Sequence, residues 1–520
     1  MKTLLDKFEV EVKFSRATWL IAACIACILL RGPAFRYGVI SDDEAIYDTM
    51  AQDILAGGVM YHSTIDHKPP GLVYTYAGLE RFAGNGQHRM AMVHLFGVLA
   101  AIGTSLGLYW MGRIILAPPL EVIAPLLYAV TSAAKVPYDG LAVNGELLMN
   151  LPTALAVACA LDATYRSKAQ RLVLDVLAGS LVAGAVLYKY QAGILLCALP
   201  LVTLETPTMT WWTRLTSWVS GFALTVTCCA LYFCHRGALQ DARHWGIAYN
   251  AEYISAGVPF AWAAQRLGRQ LVGVVLPGGV LYVSAIVTLA RFGRGNDLSY
   301  SIRRFRPFML GWSLLSLASV AIGGRYFGHY FLQPELPLSI VAAGPAARLF
   351  VTRRATFITA LLVPALALAM GASLPAQPGR WLDDDDVDYE TLGKAVAGRT
   401  KLSDTIWVWG NAPRIYYVAR RRSGVRFSFC NYLTGLSPGT PSEYGAGVDP
   451  LGRTNRYAWA LVFEDLTTRR PRLILDTASA HLKSYAKFPI SNFPDLEKYL
   501  SVHYRSTGSV NGAVIYDRIL

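Results

Sequence analysis

The stretch Ser41–Tyr74 reads SDDEAIYDTMAQDILAGGVMYHSTIDHKPPGLVY and lies between two long apolar runs, 17–38 and 90–112. Three adjacent carboxylates, Asp42, Asp43 and Glu44, open it, and Lys68-Pro69-Pro70 nearly closes it. Ionisable groups beside a membrane-length run cost free energy unless they meet water, a counter-charge or a ligand. The reading of this stretch therefore turns on whether its flanks span a bilayer.

Composition says that they do. The chain is 53% hydrophobic and 16% charged, where a soluble chain carries about 25% charged residues. Apolar runs of roughly 15 to 22 residues recur along it. They predict about eleven transmembrane helices, near 17–38, 90–112, 119–135, 146–161, 172–188, 190–204, 216–234, 271–290, 308–323, 330–348 and 355–374. The expected class is a polytopic α-helical membrane protein. Of the eight cysteines only Cys430 lies in a clearly polar region, so no disulfide framework is expected. Cys24 and Cys27 have CxxC spacing but sit inside an apolar run. A polar, charged leader without a clear cleavage site argues against a signal peptide.

Net charge is +13, which fits the positive-inside rule better than nucleic-acid binding. Lys2, Lys7, Lys13 and Arg16 precede the first run; Arg166, Lys168 and Arg171 fill one loop, Arg291, Arg294, Arg303, Arg304 and Arg306 another, and Arg348, Arg353 and Arg354 a third. With eleven spans these all fall on the cytoplasmic side. Ser41–Tyr74, 135–145, 235–270 and 323–329 then face the opposite side, as does the polar tail. Residues 1–375 are expected as the membrane domain, with 39–89 its outer loop, and 376–520 as a soluble extracytoplasmic α/β domain. In that tail TIWVWG, VRFSF, RLILDT and GAVIYDR read as strands, and APRIYYVARR, TNRYAWALVFEDLTT and FPDLEKYLSV as helices. The run Asp383–Asp386 reads as a solvated linker, since adjacent aspartates lack the spacing of a calcium loop.

Within the outer loop, Ser41 is placed to cap a helix whose dipole suits the acids that follow. Ile46, Met50 and Ile54 recur at helical spacing, as do Tyr47, Ala51 and Leu55, and Gly57-Gly58 stops the run. This predicts an amphipathic helix on the outer membrane surface. On the plainest reading the acids are only its first turn. Yet three crowded carboxylates require a raised pKa or a cation. Asp66-His67-Lys68 brings polar groups back about twenty residues later, and Pro69-Pro70 stiffens the chain just beyond the lysine.

DDEAIYDTMAQDILAGGVMY…DHKPPGLVY resembles the first outer loop of GT-C membrane glycosyltransferases. The similarity is to the bacterial dolichyl-phosphate-mannose–protein mannosyltransferase and lipid A aminoarabinose transferase group. An Asp-Glu pair after the first span, a Lys-Pro pair before the second, many spans and an outward C-terminal domain all match. The resemblance implies transfer of a sugar from a polyprenyl-phosphate donor to an acceptor beyond the cytoplasm, in a multi-pass protein of the plasma (inner) membrane. It places the general base on Asp43, with Asp42 its adjacent rival and Glu44 orienting it, holding sugar hydroxyls or holding a cation.

The departing phosphate is already a stable anion, so positive charge helps more than an acid does. Lys68 is the first candidate for it; its other reading is a lysine snorkelling to headgroups. Lys189, between two apolar runs, and Arg325, whose guanidinium suits phosphate, are further donor-phosphate candidates. Glu146 opens a span and resembles the family's second acidic position. It would bind acceptor or share a metal with Asp43, or simply complement its helix dipole. Asp139 in the same loop is a weaker candidate. Tyr326 and His329 join the acceptor or sugar-binding set, although Tyr326 and Tyr330 also suit an aromatic belt. Magnesium or manganese is one source of positive charge and the basic side chains are another. His62, His67, His88, His94, His235 and His244 lack zinc spacing. No GxxxxGK pattern is present, so a nucleotide cofactor is not expected. A flippase or transporter for a polar lipid is the main alternative; it would distribute charges between repeated halves, and no repeat is evident. A docking protein anchored by eleven spans is the other.

Overall fold

The computed structural model describes residues 16–84, 86, 88–204, 211–255, 257–291, 304–371, 388–444 and 454–519. The leader lysines, Arg294, Arg303 and the Asp383–Asp386 run lie outside these residues. Two compact units emerge from the packing. One comprises Met1–Tyr37, Ala91–Tyr232 and Ala263–Pro375; the other comprises Gly38–Met90, Phe233–Trp262 and Ala376–Leu520.

In the first unit every predicted apolar run falls on a helix. Six helices are long and apolar enough to cross a membrane among the described residues: Arg16–Arg36, Arg89–Ile115, Pro137–Tyr165, Lys168–Tyr188, Trp211–His235 and Arg306–Gly324. Two further pairs pass the same test together but bend sharply, Phe260–Val275 with Gly279–Arg291 by 105° and Gly328–Thr352 with Arg354–Ala369 by 120°. Leu120–Thr131 and Tyr190–Thr203 are apolar but shorter. Among the described residues the eleven apolar runs thus give six helices that pass this test alone and up to eight if each bent pair is one span, because a run's hydropathy does not record where its helix breaks. The protein is a multi-pass membrane protein.

Large apolar side chains remain outside this unit, among them Leu29, Leu99, Leu224, Leu231, Val283 and Leu314. A bilayer is the solvent in which such a surface is stable. Inside, Leu127, Tyr128, Val157, Trp218, Leu281, Trp312 and Leu336 belong to one continuous core. Small residues bring helices close: Gly179 lies against the Trp218 backbone, and Ser180 Oγ donates to the Gly221 carbonyl at 3.1 Å. Such contacts are how helices associate where hydrophobic burial gives no advantage.

The second unit carries a five-stranded sheet: β1 (Thr405–Trp409), β2 (Arg422–Ser423), β3 (Leu473–Asp476), β4 (Tyr504–Val510) and β5 (Ala513–Arg518), in the order β2-β1-β3-β5-β4. β1 runs parallel to β2 and β3, whereas β5 is antiparallel to β3 and β4. Helices Arg414–Ala419, Arg456–Thr468 and Pro494–His503 match the expectation. VRFSF is not a strand. Its backbone finds other partners: Arg426 N–H donates to Asp465 at 2.8 Å, and the Arg426 carbonyl accepts from Ile65 N at 2.8 Å. β4 escapes prediction because its residues are mostly polar and exposed, as befits an edge strand.

Residues 39–89, expected to group with the membrane domain, cluster with the C-terminal residues. Their first helix, Asp42–Leu55, is stopped where Gly57 takes φ +98°. Glu44 through Ala51 are all buried, so it is an enclosed helix and not the amphipathic surface helix that its spacing predicts. It packs against helices Gly71–Ala83 and Arg414–Ala419.

Candidate active site

Ser41 caps the helix Asp42–Leu55, its side chain accepting the Glu44 N–H at 3.2 Å. Successive residues on a helix are rotated by about 100°, so the three acids cannot share one environment. Asp42 accepts from Arg414 Nε at 3.0 Å and lies 2.9 Å from Lys483 Nζ. Burial acts to raise its carboxyl, but the Lys483 and Arg414 charges outweigh that and hold it below its ordinary value. Glu44 is fully buried and accepts the Ile40 N–H at 2.7 Å. Asp43 keeps a third of its side chain exposed, at 34%, and meets Lys68 Nζ at 2.8 Å.

Lys68 is a hub. Its ammonium also donates to the Tyr47 hydroxyl at 2.8 Å and stands 3.8 Å from Asp66 Oδ2. Burial disfavours the charged lysine, yet Asp43, Tyr47 and Asp66 outweigh it and raise its pKa well above the usual value. Burial, reinforced by Asp43, raises the Tyr47 phenol likewise, so Tyr47 stays protonated. Asp66 is itself buried; burial would raise it, but Lys68 and His67 hold it low and ionised. Its Oδ1 accepts from His67 N–H at 2.7 Å and from the Tyr432 hydroxyl at 3.1 Å. His67 lies between this hydroxyl and Tyr253, whose ring centroid is 4.4 Å away. Pro70 stands at the N-cap of helix Gly71–Ala83, and Tyr61 donates to the Lys68 carbonyl at 2.7 Å, so the lysine is held from both sides.

The membrane unit holds the other candidates. Glu146, in the first turn of helix Gly145–Asp162, pairs with Lys189 at 2.8 Å, where helix Lys168–Tyr188 breaks. The Lys189 ammonium also lies 4.7 Å from the centre of the Tyr330 ring. Asp139 Oδ1 accepts the His329 N–H at 2.9 Å and meets Nδ1 at 2.7 Å. The absence of a side chain at Gly328 is what admits that carboxylate. Arg325 is buried, and its carbonyl accepts Arg266 Nε at 2.8 Å; Tyr326 adopts φ +47° and packs on the apolar core. Lys189 and Glu146, read from sequence as separate phosphate and acceptor groups, are thus partners.

A divalent ion needs several oxygen ligands. Among the described residues no group of three or more His, Cys, Asp or Glu side chains is arranged to hold one. Asp43 and Glu146, the proposed ligands, each carry a lysine counter-ion instead. These donor sets do not fit a metal as they stand.

Sequence reading missed Tyr47, although its i, i+4 spacing from Asp43 was a usable signal. It also missed the buried pair Lys135–Glu335 at 2.5 Å, with Tyr282 donating to Glu335 at 3.3 Å. Arg414, Lys483 and Tyr432 had no signal at all, because they lie hundreds of residues from their partners.

No protein-family model and no curated protein matches this sequence. Solved structures match over nearly its whole length. ArnT from Cupriavidus metallidurans bound to undecaprenyl phosphate is 14% identical at a TM-score of 0.62, over 97% of this chain and 99% of that one. The apo state of the same protein gives 0.60. The oligosaccharyltransferase AglB from Archaeoglobus fulgidus, in complex with an inhibitory peptide and a dolichol-phosphate, is 13% identical at 0.55, over 98% of this chain and 74% of that one. At such identity the likeness is one of architecture, and it is the architecture that the outer loop's resemblance implies: the chain has the GT-C fold.

Proposed function

We propose that this chain is an integral membrane glycosyltransferase that moves a sugar from a polyprenyl-phosphate donor to an extracytoplasmic glycolipid, cell-envelope polysaccharide or protein. It would sit in the plasma (inner) membrane with its N-terminus cytoplasmic and the 376–520 region outside. The observation that carries this reading is the unequal fate of adjacent acids. Asp42 is matched by two cations and Glu44 is fully buried against the Ile40 N–H, whereas Asp43 is part-exposed beside a fixed lysine. Structures of the same fold that hold undecaprenyl phosphate or dolichol-phosphate support the donor class.

In this mechanism the acceptor oxygen attacks C1 of the sugar from the face opposite the phosphate. Its O–H proton passes to the Asp43 carboxylate. The C1–oxygen bond to phosphate breaks, its electron pair leaves on the polyprenyl phosphate, and the anomeric configuration inverts. Lys68 holds the Asp43 carboxylate in position, and Tyr47 and Asp66 fix the ammonium. Lys68, Lys189 and Arg325 are the proposed contacts to donor phosphate; Glu146, His329 and Tyr326 are the proposed contacts to acceptor or sugar.

Purified protein in lipid nanodiscs, given a panel of polyprenyl-phosphate sugars and candidate acceptors with and without EDTA, tests the reading. Transfer from one donor is expected, with Asp43→Asn lowering its rate by about 10²–10⁴ while the protein stays folded and binds donor. An Asp43→Asn protein that transfers at the wild-type rate would sink the assigned role. Donor crossing the bilayer without sugar transfer would favour the flippase.

A further inference from the structure

The parallel strands β2, β1 and β3 begin side by side, and a cavity of about 430 Å³ opens at their starting ends. Thr405 begins β1, Arg422 and Ser423 form β2, and Arg472 directly precedes β3. In open parallel sheets ligands ordinarily gather at the opposite, carboxyl ends. Here those ends are filled: Cys430 N–H donates to Gly410 at 3.0 Å, and Thr477 Oγ1 donates to the Trp409 carbonyl at 2.8 Å. The cavity at the other end has a size typical of small-molecule sites.

Its wall is unusual in charge. Among the described residues that line it, Arg422, Arg469, Arg470 and Arg472 face two carboxylates, Asp53 and Asp404. Asp404 accepts the Lys401 N–H at 2.7 Å, and Asp53 lies 3.4 Å from Arg469, so neither cancels the whole cluster. Arg469 is committed to structure through Ser63 O at 2.7 Å and Asp465 at 3.3 Å. Arg470 donates to Thr467 O and Arg472 to Arg518 O, both at 2.9 Å. These bonds orient the guanidinium groups while using one donor of the five on Arg470 and on Arg472. Crowding like charges around open space costs stability unless an anion is to enter. Among the described residues the remaining wall consists of Ser403, Thr405 and Ser423, with no aromatic ring to stack on a neutral sugar.

We propose that this cavity is a binding site for an anionic glycan, a sugar bearing a phosphate or a carboxylate. Guanidinium forks pair with either group through two parallel hydrogen bonds, and the hydroxyls exchange hydrogen bonds with the sugar's own. Its assignment as a docking site for an acidic acceptor rests on the transferase reading above; the binding itself does not.

Titration calorimetry on the full chain in nanodiscs, with no donor present, tests this directly. The probes are glucose 1-phosphate, galacturonate, glucose and inorganic phosphate. Both charged sugars should bind and glucose should not, with inorganic phosphate weaker than glucose 1-phosphate by about tenfold. Arg422→Glu should weaken the charged sugars by about tenfold or more, and Arg422→Lys should restore part of that. Arg470→Glu, on the exposed rim, should act in the same direction and guards against misfolding of the first variant. Equal binding of glucose, equal binding of bare phosphate, or unchanged affinity in both Glu variants overturns the proposal. Because nothing turns over, failure here leaves sugar transfer standing, and failure of the Asp43→Asn test leaves this binding standing.

Discussion

Asp42→Asn should separate stability from chemistry in the acidic turn. Asp42 meets Arg414 at 3.0 Å and Lys483 at 2.9 Å, with side-chain exposures of 20%, 8% and 14%. At an effective dielectric of about 20, each pair is attracted by about 5 kcal/mol before desolvation is subtracted. Net values are far smaller: about 0–1 kcal/mol for exposed pairs, and about 3–5 kcal/mol for breaking a buried one. A partly exposed carboxylate shared by two cations belongs between these, so its loss should cost about 2–3 kcal/mol. For a unit of roughly 200 residues that corresponds to a melting point lower by about 5–10 °C.

The pH dependence carries a sign. The folded carboxyl titrates below its ordinary value. Its contribution is therefore fully present above the unfolded pKa of about 3.9 and is lost as pH falls through the folded one. The gap in melting temperature between wild type and Asp42→Asn should be wide at neutral pH and should narrow below about pH 4. Tryptophan fluorescence during heating of detergent-solubilised protein reads both. Well below its melting point, Asp42→Asn should transfer sugar within severalfold of wild type. A variant that melts normally but loses transfer as completely as Asp43→Asn would refute the division of labour between the two acids.

Lys68→Met leaves Asp43 and Asp66 facing one another without their shared cation, and transfer should fall by about 10²-fold, measured as kcat at saturating acceptor. The native lysine's pKa is raised, so its contribution to stability is complete below about pH 10.4 and is lost only as pH climbs through the folded value; melting curves between pH 7 and 10 should show no loss from this group. Glu146→Gln and Lys189→Met should each lower the melting point by more than the double variant does, because either single change strands the other group of a largely buried pair.

The membrane runs were legible because hydropathy over about twenty residues is a local property. The breaks within them were not, since a bend of 105° or 120° depends on neighbours that pack against the break. In the second unit, β1, β3 and β5 were legible as apolar runs of strand length. VRFSF misled for the same reason: its side chains do bury, but its backbone is satisfied by Asp465 and Ile65 and not by a ladder. Burial and strand are separate outcomes, and an apolar run announces only the first.

The acidic turn shows where local reading ends. Ser41, the acids and Gly57-Gly58 fix a helix and its limits from short-range chemistry alone. That helical rotation sends Asp42 and Asp43 in different directions is also legible. Which of them meets counter-charge is not, because Arg414 stands 372 residues away and Lys483 farther still. A carboxylate flanked by two cations is held firmly and is a poor proton acceptor. One beside a fixed lysine, with a third of its side chain exposed, is within reach of an entering hydroxyl. In the proposed mechanism the choice of base between two neighbours is therefore made by residues near the other end of the chain, and the Asp42→Asn and Asp43→Asn pair measures that choice directly.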